Sequence, residues 1–219
     1  MENWIPKDGD AFLTREHFLF YVFGYEHPPE RVFSFLKYIP SQLSQLFPLR
    51  YLQRTWKMGE TKLNRAEKLY TVRNLQGILE TFREHFPGYV YFCPFRGKEI
   101  VSAPLSLIEK VFDSRDCLRR IMEKGRRDPL QDLAVELTSL LSAKSGVPLG
   151  DFGIHGSLAL NMHTTESDID LTVYGAENFR RLEDAISKLE AEGLLSYVST
   201  RKFDRVRRHR GRYQGKTFV

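Results

Sequence analysis

Two acidic residues carry the clearest chemistry in this chain. Asp168 and Asp170 alternate with Ile169 and Leu171, and this period of two is the pattern of a β-strand. Residues two apart on a strand project to the same face, so the two carboxylates would repel each other unless a cation lay between them. All-oxygen ligands of this kind suit Mg²⁺ or Mn²⁺. We therefore predict a divalent metal site at Asp168 and Asp170.

A Gly-Ser pair precedes these acids and supplies a second feature. Gly156 and Ser157 follow a short apolar run, residues 151–155. Glycine lets the backbone approach a ligand closely, and serine is a good N-cap for a helix, here expected through residues 158–160. Free N–H groups at the start of such a helix bind phosphate. Gly156 and Ser157 are therefore predicted to bind a phosphorylated ligand.

The order of an apolar strand, Gly156-Ser157, about ten residues and then Asp168-Ile169-Asp170 resembles the signature of the DNA polymerase beta-like nucleotidyltransferase superfamily. The region 149–175 looks especially like a group of archaeal proteins described as predicted nucleotidyltransferases. This resemblance implies that Gly156 and Ser157 hold a nucleoside triphosphate such as ATP. It also implies that Asp168 and Asp170 are catalytic metal ligands in the transfer of a nucleoside monophosphate to an acceptor.

The superfamily signature also implies a third carboxylate on a neighbouring strand, and the sequence leaves its position open. Asp204 lies at a workable distance, but its surroundings are too basic for a buried strand. A later strand would start at Lys216 and stop at Val219, so we expect either a shortened domain or a site with two acids. The alternative to an enzyme is a catalytically weak module of the same fold that binds nucleotide or nucleic acid.

Two histidines flank the motif. His155 stands where the superfamily usually has an apolar or small residue, and we interpret it as a strand-end residue near the phosphates, not as a metal ligand. His163 has no role assigned from the sequence.

The overall composition is that of an ordinary globular protein, with 42% hydrophobic and 28% charged residues. No apolar run reaches the roughly 18 residues that a membrane helix needs, and the N-terminus lacks the pattern of a secretory signal. Cys93 and Cys117 form no metal-binding pattern and are interpreted as reduced thiols. We expect a cytoplasmic protein without a membrane partner.

Basic charge is concentrated near the C-terminal end. Residues 201–216 contain eight basic residues and one acid, a balance of +7, whereas the whole chain carries +5. The segment predicts weak binding of RNA or DNA, and a solvated tail is the alternative. The nucleic acid contacts would be Arg201, Lys202, Arg205, Arg207, Arg208, Arg210 and Arg212.

The predicted fold class is α+β, with an N-terminal aromatic-rich αβ module over residues 1–125 and a minimal nucleotidyltransferase-like domain with a mixed sheet over residues 126–219. Twenty of the 28 aromatic residues precede residue 96. They could form a base-stacking surface, but an aromatic core is the favoured interpretation.

Within the N-terminal module, we expect a hairpin from residues 10–13 and 18–25, a strand or short helix over residues 32–39, and a less regular strand over residues 51–58. Thr71 is expected to cap a helix that ends at Pro87-Gly88. A further helix is expected from Pro104 through Phe112 and beyond.

The C-terminal domain is expected to begin with a helix from Asp128-Pro129 to Gly146 and to continue as strand, helix, strand, helix. The last of these helices lies between Gly175 and Gly193, with Phe179 among its inward residues. A crossover is expected between the two strands, with the short helix after Ser157 inside it.

Overall fold

The computed structural model describes residues 4–69 and 71–195, and it confirms the α+β class. Its described strands are β1 (Ala11–Thr14), β2 (Leu19–Val22), β3 (Arg31–Pro40), β4 (Trp56–Met58), β5 (Thr61–Asn64), β6 (Val90–Cys93), β7 (Lys98–Pro104), β8 (Ile108–Phe112), β9 (Phe152–His155) and β10 (Asp170–Val173). Its described helices are α1 (Val72–His85), α2 (Ser114–Glu123), α3 (Pro129–Ser145), α4 (Gly156–Ala159) and α5 (Ala176–Ala191).

The first eight strands form one sheet, and six of them follow the order β4-β5-β3-β2-β1-β8. Strand β7 also pairs with β3, and β6 pairs with β7. Each of these pairings is antiparallel. The expected first hairpin is confirmed as β1 and β2, with Phe12 opposite Phe20. Residues 32–39, expected to form a strand or a short helix, lie in strand β3. Of residues 51–58, expected to form a less regular strand, only Trp56–Met58 is a strand.

One face of the sheet carries an aromatic core under α1. Phe12, Phe18 and Phe20 are fully buried there, and Phe12 stacks on Phe20. Phe18 and Phe20 stack or meet edge to face with Phe82 of α1 and with Tyr89. Aromatic rings bury large apolar areas, so this cluster gives the N-terminal region its own core. The predicted aromatic core is therefore confirmed.

The opposite face of the same sheet carries the C-terminal region. One buried cluster joins Leu13, Leu19 and Tyr21 of the sheet to Phe152 and Ile154 of β9. Helix α2 contributes Cys117, Leu118 and Ile121 to this cluster and packs against β9. The two regions thus share a hydrophobic cluster across residue 125, and a boundary at that position stays a prediction.

A glycine makes the contact between α2 and β9 close. A Cβ on Gly153 would lie only 2.9 Å from the carbonyl carbon of Ser114, at the start of α2. Real side chains essentially never approach backbone that closely, so α2 can lie this near the strand only because position 153 lacks a side chain.

The helix predicted from Pro104 is wrong. Residues Leu105–Leu107 form a single 3-10 turn, and Ile108–Phe112 is strand β8, paired with β1 at the sheet edge. Ile108 and Phe112 are both buried by this pairing, and the spacing of four that suggested a helical stripe also fits two inward positions on a strand. The helix begins at Ser114, where Asp113 accepts a hydrogen bond from the Asp116 backbone N–H.

Three other helices agree with the sequence. Thr71 caps α1 through Asn74 N–H, and α3 starts with a capping box between Asp128 and Gln131 and ends at left-handed Gly146. Helix α5 occupies the predicted interval, although Phe179 points outward and is 45% exposed rather than inward.

Cys93 and Cys117 are buried and form no disulfide, as expected. Of the helices described, none is long and apolar enough to cross a membrane.

Candidate functional site

The Gly-Ser pair and the second aspartate of the motif meet on an antiparallel hairpin. Strand β10 pairs with β9 so that Asp170 lies opposite His155, and Leu171 lies opposite fully buried Ile154. Directly opposed residues of antiparallel strands project to the same face, so His155 and Asp170 are side by side.

The predicted crossover between the two strands is therefore wrong. The 14 residues between His155 and Asp170 return the chain beside the strand that it has just left, with one short helix in the connection. A parallel pair would need the chain to travel back to the same end of the sheet, and this connection does not do so. The mixed sheet expected for the C-terminal domain is likewise absent from its described residues, where β9 and β10 form a two-stranded antiparallel sheet.

Gly156 lies at the closest approach between the Gly-Ser turn and Asp170. Its φ of 67° is left-handed, and a Cβ built on it would overlap Oδ2 of Asp170. Both facts exclude an ordinary side chain at this position. The backbone of the Gly-Ser pair consequently lies directly against the Asp170 carboxylate.

Ser157 does not cap the helix, contrary to the prediction. Helix α4 begins at Gly156, His155 occupies the N-cap position without a side-chain hydrogen bond, and Ser157 lies in the first turn. The left-handed turn at Gly156 starts the helix one residue earlier, because the Gly156 carbonyl already accepts the Leu160 N–H. With four residues, α4 adds little dipole, so phosphate binding here would depend on the local backbone and the Ser157 side chain.

The two aspartates differ in their surroundings. Strand β10 begins at Asp170, which is half-buried, whereas Asp168 lies just before the strand and is exposed. The two-residue periodicity that predicted a shared face therefore does not extend to Asp168. Both are carboxylates, which are oxygen ligands of the kind that Mg²⁺ and Mn²⁺ prefer.

The donor chemistry fits Mg²⁺ or Mn²⁺, because Asp168 and Asp170 offer carboxylate oxygens. Among residues 4–69 and 71–195, no group of three or more His, Cys, Asp or Glu residues is placed to hold a metal ion. The described residues thus supply two acids, and any further oxygen ligand would come from substrate, solvent or the remaining chain.

His163 anchors the loop that leads to Asp168. Its Nε2 lies 3.0 Å from Oδ2 of Asp128, the N-cap of α3, and its side chain is only 9% exposed. Although desolvation acts in the opposite direction, hydrogen bonds from Gln131 N–H and His163 hold the pKa of Asp128 below its usual value. This contact fixes the connection between α4 and β10, a role the sequence did not indicate.

His155 brings the N-terminal sheet to the site. Its ring lies 4.5 Å from the ring of Tyr21 on β2, with an angle of 58° between the planes. Burial lowers the pKa of His155, and Lys37 acts in the same direction, while Asp170 opposes the shift. His155 ends strand β9, as predicted, and its ring links Asp170 to residues more than 100 positions earlier in the chain.

Asp10 ties the start of the chain to the back of the hairpin. It is fully buried and accepts hydrogen bonds from the Trp4 indole (3.0 Å), Lys7 N–H (3.2 Å) and Ser114 N–H (3.1 Å). Ser114 also donates to the Gly9 carbonyl at 3.0 Å. This set of bonds holds the residue 7–10 loop on α2, beside the strands that carry the candidate site.

The basic segment from Arg201 to Lys216, Asp204 and the strand expected at Lys216 all lie outside the described residues. Their predicted roles stay predictions.

Taken together, the fold and this geometry define an α+β protein in which a Gly-Ser turn and an aspartate meet on an antiparallel hairpin, with a large antiparallel sheet behind them. Over 190 residues the chain is 24% identical to the uncharacterized protein MJ1086 of Methanocaldococcus jannaschii, an alignment that covers 87% of this chain and 54% of that protein. The chain therefore spans about half the length of this relative. No family model matches the sequence, and no solved structure matches it.

Proposed function

We propose that this protein is a metal-dependent nucleotidyltransferase of the DNA polymerase beta-like type, transferring a nucleoside monophosphate from a nucleoside triphosphate to an acceptor. The observation that supports it best is the contact between the Gly156 backbone and the Asp170 carboxylate. These positions are 14 residues apart in sequence, and a nucleotidyltransferase needs the phosphate-binding turn and the metal-binding acid in one place.

Each residue has a defined task in this proposal. Asp168 and Asp170 would hold Mg²⁺ or Mn²⁺, while Ser157 and the backbone beside Gly156 would hold the outer phosphates. A bound divalent ion supplies neutralisation of phosphate charge and orientation of the reacting groups. The acceptor oxygen would form a bond to the α-phosphorus, the bond to the β-phosphate oxygen would break, and pyrophosphate would leave.

The acceptor must also lose a proton, and a positioned general base typically contributes 10²- to 10⁴-fold to the rate. Asp204, or an acid beyond Val219, is the expected third carboxylate. Such an enzyme would use the nucleotide pool of the cytoplasm, the compartment expected from the sequence.

A binding module of the same fold, with little turnover, is the second candidate. It is favoured by the finding that the described residues provide the Asp168 and Asp170 pair but no group of three metal-binding side chains. This module would bind nucleotide with a divalent ion and lack the means to activate an acceptor.

Incubation with each α-labelled triphosphate, Mg²⁺ or Mn²⁺ and a cell extract tests the enzyme directly. Transfer of label by the wild type and its loss in Asp170→Asn are expected for the transferase. Loss in Asp204→Ala as well would identify the third carboxylate. Nucleotide binding without transfer in any extract would favour the binding module, and the absence of metal-dependent binding would contradict both.

A further inference from the structure

Lys37 of β3 lies on the sheet face that carries the candidate site. Along β3, Phe35 and Lys37 are two residues apart and half-buried, whereas Leu36 between them faces the aromatic core. Phe35 lies opposite Tyr21 in the register of β2 and β3, and both pack against the cluster that includes β9. The Lys37 ammonium lies over the Tyr21 and Phe35 rings, which places it on the face that carries the C-terminal region.

A series of close contacts connects Lys37 to Asp170. The Lys37 ammonium lies 5.1 Å from the centre of the Tyr21 ring, and that ring lies 4.5 Å from the His155 ring. His155 in turn stands directly opposite Asp170. The charges of Lys37 and Asp170 both act on the His155 imidazole, Lys37 lowering its pKa and Asp170 opposing that shift.

A cation at this place has a clear chemical use. Lysine is a compact charge with three hydrogen-bond donors and is a common ligand of phosphate groups. Half-buried among aromatic rings, its charge is screened less by water than that of an exposed lysine. A triphosphate bound by the metal site would still carry negative charge on oxygens that point away from the metal.

We propose that Lys37 binds the phosphates of the nucleoside triphosphate, so that the N-terminal sheet forms one wall of the site. This inference rests on the proposed function, because it assumes a triphosphate at Gly156, Ser157, Asp168 and Asp170. Lys37 contacts the polyphosphate and not the base, and it therefore discriminates by the number of phosphates rather than by the nucleoside.

Calorimetric titration with Mg²⁺ present tests the contact, using ATP, inorganic tripolyphosphate and AMP as ligands. Lys37→Gln should weaken binding of ATP and of tripolyphosphate about tenfold, the usual scale for losing one charged hydrogen-bond partner. Binding of AMP should change by less than about twofold. Lys37→Arg should retain most of the affinity, because the charge and the aliphatic stem remain.

The matched control is Lys62→Gln, which removes an exposed lysine from β5, the strand that pairs with the end of β3. It should bind all three ligands as the wild type does. Melting temperatures of the variants show that the fold is retained.

Different outcomes separate this inference from the proposed function. If Asp170→Asn loses ATP binding while Lys37→Gln binds ATP as tightly as wild type, Lys37 is no phosphate ligand although the nucleotide site stands. Equal losses for ATP and AMP in Lys37→Gln would also overturn it, because they indicate a structural role. If wild type binds neither ATP nor tripolyphosphate, the proposed function fails and this inference fails with it.

Discussion

Gly156 and Asp170 are in direct contact across the β9–β10 hairpin: Oδ2 of the Asp170 carboxylate occupies the position that a Cβ of residue 156 would fill. Position 156 requires glycine for two reasons. Its φ of 67° is strained for other residues, and a Cβ there would overlap the end of the Asp170 side chain. A side chain here would displace the Asp170 carboxylate before it disturbed the rest of the fold. This relationship gives the first prediction.

Gly156→Ala should lower stability by about 1 kcal/mol, because alanine in a left-handed conformation is strained. It should also weaken Mg²⁺-dependent ATP binding by more than this loss of stability implies, because Asp170 must rotate away. Gly150→Ala is the matched control, since a Cβ at that position meets nothing within 4 Å. Denaturant unfolding and calorimetry measure the two effects. ATP affinity equal to wild type in Gly156→Ala would contradict the arrangement.

Asp170→Asn should remove Mg²⁺-dependent binding of triphosphate while the fold is retained. The substitution keeps the size of the side chain but removes the charge that attracts the cation, and neighbouring residues supply the packing. Asp184→Asn, at an exposed position of α5, controls for the loss of one negative charge. Calorimetry with Mg²⁺ and with EDTA compares the three proteins. The same ATP affinity in wild type and Asp170→Asn would rule out a metal site there.

Asp10→Ala should destabilise the protein by about 3 kcal/mol. It leaves the buried Ser114 N–H, the Trp4 indole and Lys7 N–H without their acceptor, and a buried unsatisfied group costs about 1–3 kcal/mol. Denaturant unfolding at fixed pH measures the loss. Asp184→Ala, which removes an exposed carboxylate, should remain close to wild type.

The effect of Asp10→Ala on the free energy of unfolding should also depend on pH, in a defined direction. Burial raises the pKa of Asp10 above 3.8, although hydrogen bonds from Trp4 and Ser114 oppose this. The folded state then holds the proton more tightly than the unfolded state, so the stability that Asp10 contributes is greatest below pH 3.8. The difference in unfolding free energy between wild type and Asp10→Ala should shrink as the pH rises through the folded pKa, then stay constant. A difference that widens over this range would show that the pKa is lowered instead.

Changing Arg207, Arg208 and Arg210 together to Ala should weaken RNA or DNA binding equally for all sequences. Contacts to phosphates release counterions, so the slope of log affinity against log salt should become shallower by about 0.7–0.9 for each lost contact. A salt series with a short RNA compares the variant with the wild type. No binding by the wild type at low salt, or an unchanged slope in the variant, would favour a solvated tail.

Local patterns in the sequence were enough to predict several elements of the fold. The caps of α1 and α3 involve residues within four positions of each other, and the first hairpin joins neighbouring segments. The same holds for the end of β9 at His155, because the Gly-Ser break is a local signal. The alternation that placed Asp168 on the next strand was misleading, since β10 begins at Asp170. The prediction of a helix from Pro104 was wrong because buried residues four positions apart fit both a helical stripe and one face of a strand. Here Ile108 and Phe112 are the two buried positions of an edge strand.

The sequence by itself determined the fold class and the residue types at the candidate site. Tertiary structure decided that β9 and β10 run antiparallel, that Gly156 lies against Asp170, and that His163 is held by the cap of α3. It also decided that Tyr21 stands beside His155 and that Lys37 lies over the Tyr21 ring, a neighbourhood no local pattern could indicate. The physical reason is that burying the second face of the N-terminal sheet requires another layer. The C-terminal hairpin supplies that layer, and residues more than 100 positions apart are thereby brought into contact.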